Sequence, residues 1–394
     1  MSSMKLLSIC GALAAGEFLA ALASTWADAW PVAALLAALV ALFGHGLRAR
    51  AWPVPFFFFL GIALFLLASA EDEQFYRERP WMRGQRRRTA QASPGPLASE
   101  IRRDFSRRIA FGIEGDRETV SLSRAILLGE RRRLSPETKR LFVESGTMHV
   151  FAISGLHVMA ISSVLTCLLA LVLIPRRFAG LVAAPLLWGY VLLIGAPPSA
   201  VRAATMATFS CLAPVFWRKP DGLRAWALTF LSVHLVRPRL VADVGNALSF
   251  AVMLAIVLAG RWTQDRPKWQ QAATSTVAAW AIGVPIAAHV FGRVTPGGML
   301  ANLVLLGAAK LTVVTGAVGL ACNYLSEAVS AHFANLSALA IRAMVFVADA
   351  VARLPGANFE TGRWTLGACV VWYAGLVVLV WTVRRLAKTF HNVI

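Results

Sequence analysis

The chain has 394 residues, 58% of them hydrophobic, with a mean hydropathy of +0.63. A soluble chain of that length is closer to half apolar and divides into two or three domains, so a soluble globular protein is excluded. The formal net charge of +19 at pH 7 excludes an acid-rich surface and favours an anionic surface or a polyanion as partner.

The apolar residues gather in runs near twenty residues long, which fit a hydrocarbon core of about 30 Å. They predict an all-α polytopic membrane protein of about 10–12 transmembrane helices. The short alternating segments of a β-barrel do not occur. Cys10, Cys167, Cys211, Cys322 and Cys369 are scattered and form no C-x-x-C pair. They indicate neither a zinc site nor a disulfide framework; no metal, cofactor or catalytic residue is expected.

In chain order, residues 1–70 hold apolar runs at 6–24, 31–47 and 53–70. The first reads as a transmembrane helix rather than a removed signal, and Glu17 lies inside it. Residues 71–148 form the one large polar segment, acidic at Glu71–Glu73 and then basic at Arg83 and Arg86–Arg88. After the Ser93-Pro94-Gly95-Pro96 linker, Leu97, Ile101, Phe105 and Ile109 recur every four residues, with Arg102, Arg103, Arg107 and Arg108 on other faces. That predicts an amphipathic helix, lying either on a membrane surface or against the rest of the protein. Arg131, Arg132 and Arg133 make a cationic loop. Ser135 as N-cap, Pro136 at the first helical position and Gly146 past the end predict a short helix of roughly ten residues.

Further runs follow at 150–174, 180–195, 200–217, 225–236, 244–260, 272–291, 299–321, 334–352 and 365–383. The run 225–236 is short, and Arg342 and Asp349 interrupt 334–352. With the N-terminus in the cytoplasm, Arg48/Arg50, Arg176/Arg177, Arg218/Lys219/Arg224 and Arg261/Arg266/Lys268 all fall inside, as the positive-inside rule asks. Residues 71–148 then lie outside, and residues 384–394 form a basic cytoplasmic tail.

Four stretches carry candidate chemistry. The first, Gly146 to Val158, holds His149 and His157 and a helix-weakening Ser154-Gly155 pair at the mouth of a span. The histidines are eight apart, about 80° out of alignment on a straight helix, and so are not an H-x-x-x-H metal pair. They suit either an aqueous path or hydrogen bonds within the bundle. The second, Gly195-Ala196-Pro197-Pro198-Ser199, ends one span and starts the next, with Ser199 as a cap. Arg202 in the first turn is either a phosphate contact or an interfacial arginine reaching headgroups. The third is Asp243 to Phe250, with Asn246 and Ser249. The fourth, Ala288 to Leu303, holds His289, a Gly/Pro turn and Asn302, with Lys310 deeper in the same span. A lysine there costs about 2.5–3.5 kcal/mol on insertion scales; it calls for water, an anionic substrate or a counter-ion such as Glu17.

Ala152-Ile153-Ser154-Gly155-Leu156-His157-Val158, preceded by His149, resembles the signature of the ComEC family. Those polytopic proteins carry single-stranded DNA across the cytoplasmic membrane during natural transformation. Leu127-Leu128-Gly129-Glu130 with Leu134-Ser135-Pro136-Glu137, the 195–206 stretch, and His289-Val290-Phe291-Gly292 through Asn302-Leu303 are also similar to it. At 245–250, Gly245, Leu248, Ser249 and Phe250 match the family's Gly-Phe-Gln-Leu-Ser-Phe, while Asn246 and Ala247 depart. The resemblance runs from about residue 97 onward, with 149–383 as the channel core. Family members often add an OB-fold and a metallo-β-lactamase-like domain. Residues 71–96 are too few for the first, and no H-x-H-x-D-H motif marks the second.

The resemblance implies a non-enzymatic channel of the bacterial inner membrane. It would line a DNA path with His149, Ser154, Gly155, His157, Arg202, Asn246, Ser249, His289, Asn302 and Lys310. Arg102, Arg103, Arg107, Arg131, Arg132 and Arg133 would form a basic vestibule. The implied partners are single-stranded DNA, the lipid bilayer, a separate DNA receptor and a cytoplasmic ATP-driven motor, since no G-x-x-x-x-G-K-[ST] occurs; self-association stays open. A transporter of a smaller anion or lipid, and a scaffold that transports nothing, are the other readings.

Overall fold

The structure is a computed structural model. It describes residues 8–16, 96–153, 155–238, 240 and 243–391. The expectations for Glu17, for Ser154, for Arg83–Arg88 and for the runs 31–47 and 53–70 fall outside these residues. Residues 8–16 are helical.

The described chain is helical almost throughout. The polar segment forms α1 (Pro96–Arg108), α2 (Arg117–Leu128) and α3 (Pro136–Glu144). The ends of α2 and α3 follow from the sequence. Asp116 caps α2 by accepting from the Thr119 amide, and Gly129, at φ 72°, closes it. Ser135 caps α3 by accepting from the Thr138 amide, with Pro136 in the first turn. Each side chain satisfies a donor that helix geometry leaves open.

The apolar part continues as α4 (Gly155–Leu171), α5 (Arg176–Leu193), α6 (Pro198–Leu212), α7 (Gly222–Val236), α8 (Val244–Trp262) and α9 (Lys268–Phe291), then α10 (Gly297–Asn323), α11 (Glu327–Ala352) and α12 (Leu366–His391). Among the described residues, five stretches are long and apolar enough to cross a membrane: Pro198–Phe216, α8, α9, α10 and α11. Four shorter apolar helices accompany them. The protein is an all-α polytopic membrane protein. The interrupted run at 334–352 is thus part of a 26-residue helix, and Asp349 there pairs with Arg353 at 2.7 Å. The run 225–236 is a 15-residue helix. The basic residues Arg384, Arg385 and Lys388 continue α12 rather than following it.

Two compact units divide these residues. The first comprises the described residues up to Arg133, then Phe151–Phe250 and Lys310–Leu339; the second comprises Leu134–Val150, Ala251–Ala309 and Ala340 onward. In the first unit α5 and α6 pack backbone to backbone: a Cβ on Gly180 would strike the Cys211 carbonyl. Such approach is the usual device where lipid, as apolar as leucine, supplies no hydrophobic force between helices. The side of α1 is graded. Leu97 is 71% exposed and Ile101 38%, while Ile109, just past its end, is 8% exposed. The C-terminal part of α1 is therefore packed on protein and its N-terminal part is open. In the second unit α9 and α12 are tied by Trp372 and Tyr373, which donate to the Ala281 and Ile282 carbonyls at 2.9 Å each. The only strands among the described residues are β1 (Arg293–Val294) and β2 (Phe359–Glu360), an antiparallel pair.

Candidate functional site: interrupted helices and two arginine environments

All three places where glycine and proline predicted interruption are interrupted. Residues Met148–Phe151 form a 3-10 turn and α4 begins only at Gly155. Between α5 and α6, Gly195 and Ala196 both have positive φ, 86° and 46°. Gly292, at φ 67°, ends α9 before β1 and α10. Non-helical backbone beside a bilayer must find partners within the protein, and here side chains supply them. Arg131 Nε donates to the Phe151 carbonyl at 2.6 Å, and Ser199 Oγ donates to the Ile153 carbonyl at 2.7 Å. This corrects the expected role of Ser199. The hydroxyl makes no cap bond to α6, whose N-cap is Pro197; it reaches instead to the first stretch.

The second and third stretches meet at Arg202, in the first unit. Its Nε donates to Ser249 Oγ at 3.1 Å and its Nη1 to Asn246 Oδ1 at 3.3 Å. Asn246, 1% exposed, is the hub. Its Nδ2 donates to the Leu240 carbonyl at 2.9 Å and lies 3.1 Å from His234 Nε2. Its own amide donates to Asp243 Oδ1 at 2.6 Å. His234 is held in turn by the Phe230 carbonyl through Nδ1 at 2.9 Å and stacks on the Phe230 ring. If Nδ1 carries the proton, Nε2 is free to accept from Asn246. Asn246 is thus a positioning residue for Arg202, and His234 is a member of the site that residue pattern did not single out. Its one sequence signal is an imidazole near the end of an otherwise apolar run.

The first and fourth stretches meet in the second unit. A Cβ on Gly146 would lie 2.6 Å from Thr295 Oγ1, and one on Gly298 would lie 3.3 Å from the Gly146 carbonyl. His149 lies beside the Gly146 main chain and the Asn302 side chain. His289 donates through Nδ1 to the Trp364 carbonyl at 2.7 Å, while Thr361 N donates to the Gly292 carbonyl at 3.0 Å, so this turn is stitched to residues 361–364. His157 is 1% exposed, in the first turn of α4 in the first unit. Lys310 is exposed, halfway along the 27-residue α10, with no ion pair among the described residues.

The basic residues outside the spans divide by environment. An open pocket of about 610 Å³ in the first unit is lined by Arg102, Arg103, Arg107, Arg124 and Arg133, with Glu130 as its one carboxylate. Arg124 was not foreseen. Arg131 and Arg132 do not line the pocket: Arg131 is turned to Phe151 and Arg132 is exposed. Burial, and then repulsion from Arg133, push the Arg124 guanidinium below its ordinary range, with Glu130 opposing. Burial does the same to Arg131. At the end of α1, Asp104 accepts from Arg108 Nε at 2.8 Å and from the Tyr324 hydroxyl at 2.9 Å, and both bonds hold its carboxyl below the usual range. Arg108 also reaches Asn323 Oδ1 at 2.7 Å. Among the described residues no cluster of His, Cys, Asp or Glu could hold a metal ion.

A polytopic helical membrane protein with these joined motifs is a definite class, and the comparisons give its family. Residues 126–386 match the competence protein family, and the chain belongs to it. The chain is also 26% identical over 221 residues to ComE operon protein 3 of Bacillus subtilis (strain 168), covering 56% of this chain and 28% of that protein. The match therefore spans little more than a quarter of that relative. No solved structure matches the chain.

Proposed function

We propose that the chain forms the membrane channel core through which single-stranded DNA passes into the cytoplasm of a bacterium during natural transformation. The observation that supports this most is where the family match falls. It covers all four motif stretches, and three of them are the places where membrane helices are interrupted. Non-helical backbone at membrane depth is tolerated where it is buried in protein or lines a water-filled cavity, and broken helices of this kind frame the binding sites of transporters. A polyanion crossing about 30 Å of hydrocarbon needs such a route and a basic collecting surface. Among the described residues Arg202 is hydrogen-bonded by neutral partners, Asn246 and Ser249, with the Asp243 carboxylate acting on it only at longer range. In this reading the protein sits in the inner membrane with both ends cytoplasmic, receives DNA from a separate receptor and relies on a separate motor.

The test is deletion of the gene in a competent host, followed by scoring transformants and cytoplasmic uptake of end-labelled DNA. Loss of both with surface binding retained is the expected result. Unchanged transformation overturns the reading, and loss of uptake of a small phosphate compound instead would establish an anion transporter.

A further inference from the structure

The pocket between α1, α2 and the Glu130–Arg133 turn has an arrangement that phosphate chemistry explains. On α1, Arg103 and Arg107 are one turn apart, which places them on one side of the helix. Both are exposed, and neither makes an ion pair among the described residues. Behind them the frame is fixed. Arg102 Nη2 donates to the Leu128 carbonyl at 3.1 Å, closing the end of α2. Arg124 Nε donates to the Ser106 carbonyl at 2.9 Å, tying α2 to α1. Arg133 Nε pairs with Glu130 at 2.9 Å, while Arg102 lies 3.5 Å from the same carboxylate. Five guanidiniums thus face one carboxylate around a space of about 610 Å³. That space is within the range of small-molecule sites, roughly 300–1,000 Å³.

Two features select the ligand. Positive charge held together without enough acid to neutralise it costs self-repulsion, and an anion relieves it. Guanidinium forks match phosphate oxygens, and among the described residues Arg103 and Arg107 form no ion pair, Arg107 feeling Asp104 only at longer range. Among the described residues, the side chains lining the space are otherwise only serine and glutamate, with no aromatic ring. Base recognition in single strands relies on stacking against such rings, so this lining favours the backbone over the bases.

We infer that this pocket is a cradle for the phosphodiester backbone of a nucleic acid, engaged through Arg103 and Arg107 and indifferent to base identity. The inference rests on the channel reading for its biological setting, but its chemistry is separate. Arg102, Arg124 and Arg133 form the fixed positive frame, and Arg103 and Arg107 make the contact.

The full chain in nanodiscs of phosphatidylcholine is titrated with fluorescent 20-mers of dT and of dA between 50 and 200 mM salt. Each phosphate neutralised on a single strand contributes about 0.7 to the slope of log affinity against log salt. Replacing both Arg103 and Arg107 by alanine therefore lowers the slope by about 1.4. Replacing Arg117 and Arg140, exposed arginines outside the pocket, leaves it near the parent value. Inorganic polyphosphate competes, and dT and dA bind alike. Equal slopes for the two double variants overturn the cradle, as does a strong preference for one base. A third overturning result is that the Arg103/Arg107 pair governs retention of phosphatidylglycerol in mixed nanodiscs and leaves the oligonucleotide slope alone; the pocket is then a lipid site. Loss of slope in the Arg103/Arg107 variant, together with unchanged transformation when the gene is deleted, sustains the cradle while defeating the channel reading, so the two fail separately.

Discussion

Arg103 and Arg202 are the same residue in opposite circumstances. Arg103 stands exposed on α1, lining the open pocket, with no ion pair among the described residues. Arg202 is half-buried in α6 with Asn246 and Ser249 holding two of its nitrogens, and Asn246 itself is held by His234. A mobile, hydrated arginine loses conformational freedom on meeting a phosphate, whereas a held one has already lost it. The first suits collection of a ligand and the second suits a fixed charge beside a span. The lesson is that an arginine's neighbours, and not its type, decide which role it can take.

The largest expected effect comes from removing the hub. Asn246→Leu strips Arg202, His234 and the Leu240 carbonyl of a buried partner at once. A loss of about 3–5 kcal/mol is expected, the range for breaking a buried charged network. Thermal unfolding in detergent should show it, and an unchanged melting point would mean that Arg202 needs no holding. Next is Arg131→Ala, which leaves the Phe151 carbonyl without its donor. The expected cost is about 1–3 kcal/mol, with faster amide exchange at residues 151–153. The Arg103→Ala, Arg107→Ala pair should move stability by no more than about 0.5 kcal/mol while altering binding; a large drop in melting temperature would show that these two are structural after all.

The smallest effect concerns pH. Asp104 has its carboxyl lowered by Arg108 and Tyr324. Its contribution is therefore complete above the ordinary carboxylate value and is lost as pH falls through the lowered one. Melting curves from pH 6 down to pH 2.5 should decline more steeply for the parent than for Asp104→Asn. Parallel curves would remove Asp104 from the account.

Local chemistry was legible in the sequence, and distant chemistry was not. Ser135, Pro136 and Gly146 specify α3 because caps act within one turn. The interruptions at Gly155, Gly195–Pro198 and Gly292–Gly297 were readable because glycine and proline act on their own backbone. The bond from Ser199 to Ile153, the arginine that closes Phe151, and the inclusion of Arg124 in the pocket join residues 20 to 46 positions apart, or different helices. No periodicity encodes those. His234 was hidden for the same reason: its meaning lies in Asn246, twelve residues away across a turn. Asn246, standing where the family pattern has another residue, becomes intelligible only once those partners are seen.

Gly180 carries one more implication. With the Cys211 carbonyl occupying the room a methyl group would need, α5 and α6 have no slack in which to slide or swivel. They are held together as a single plank, and any relative motion of helices in the first unit has to be found at some looser seam. Selection at this position would act against bulk of any kind, even the mildest, however greasy.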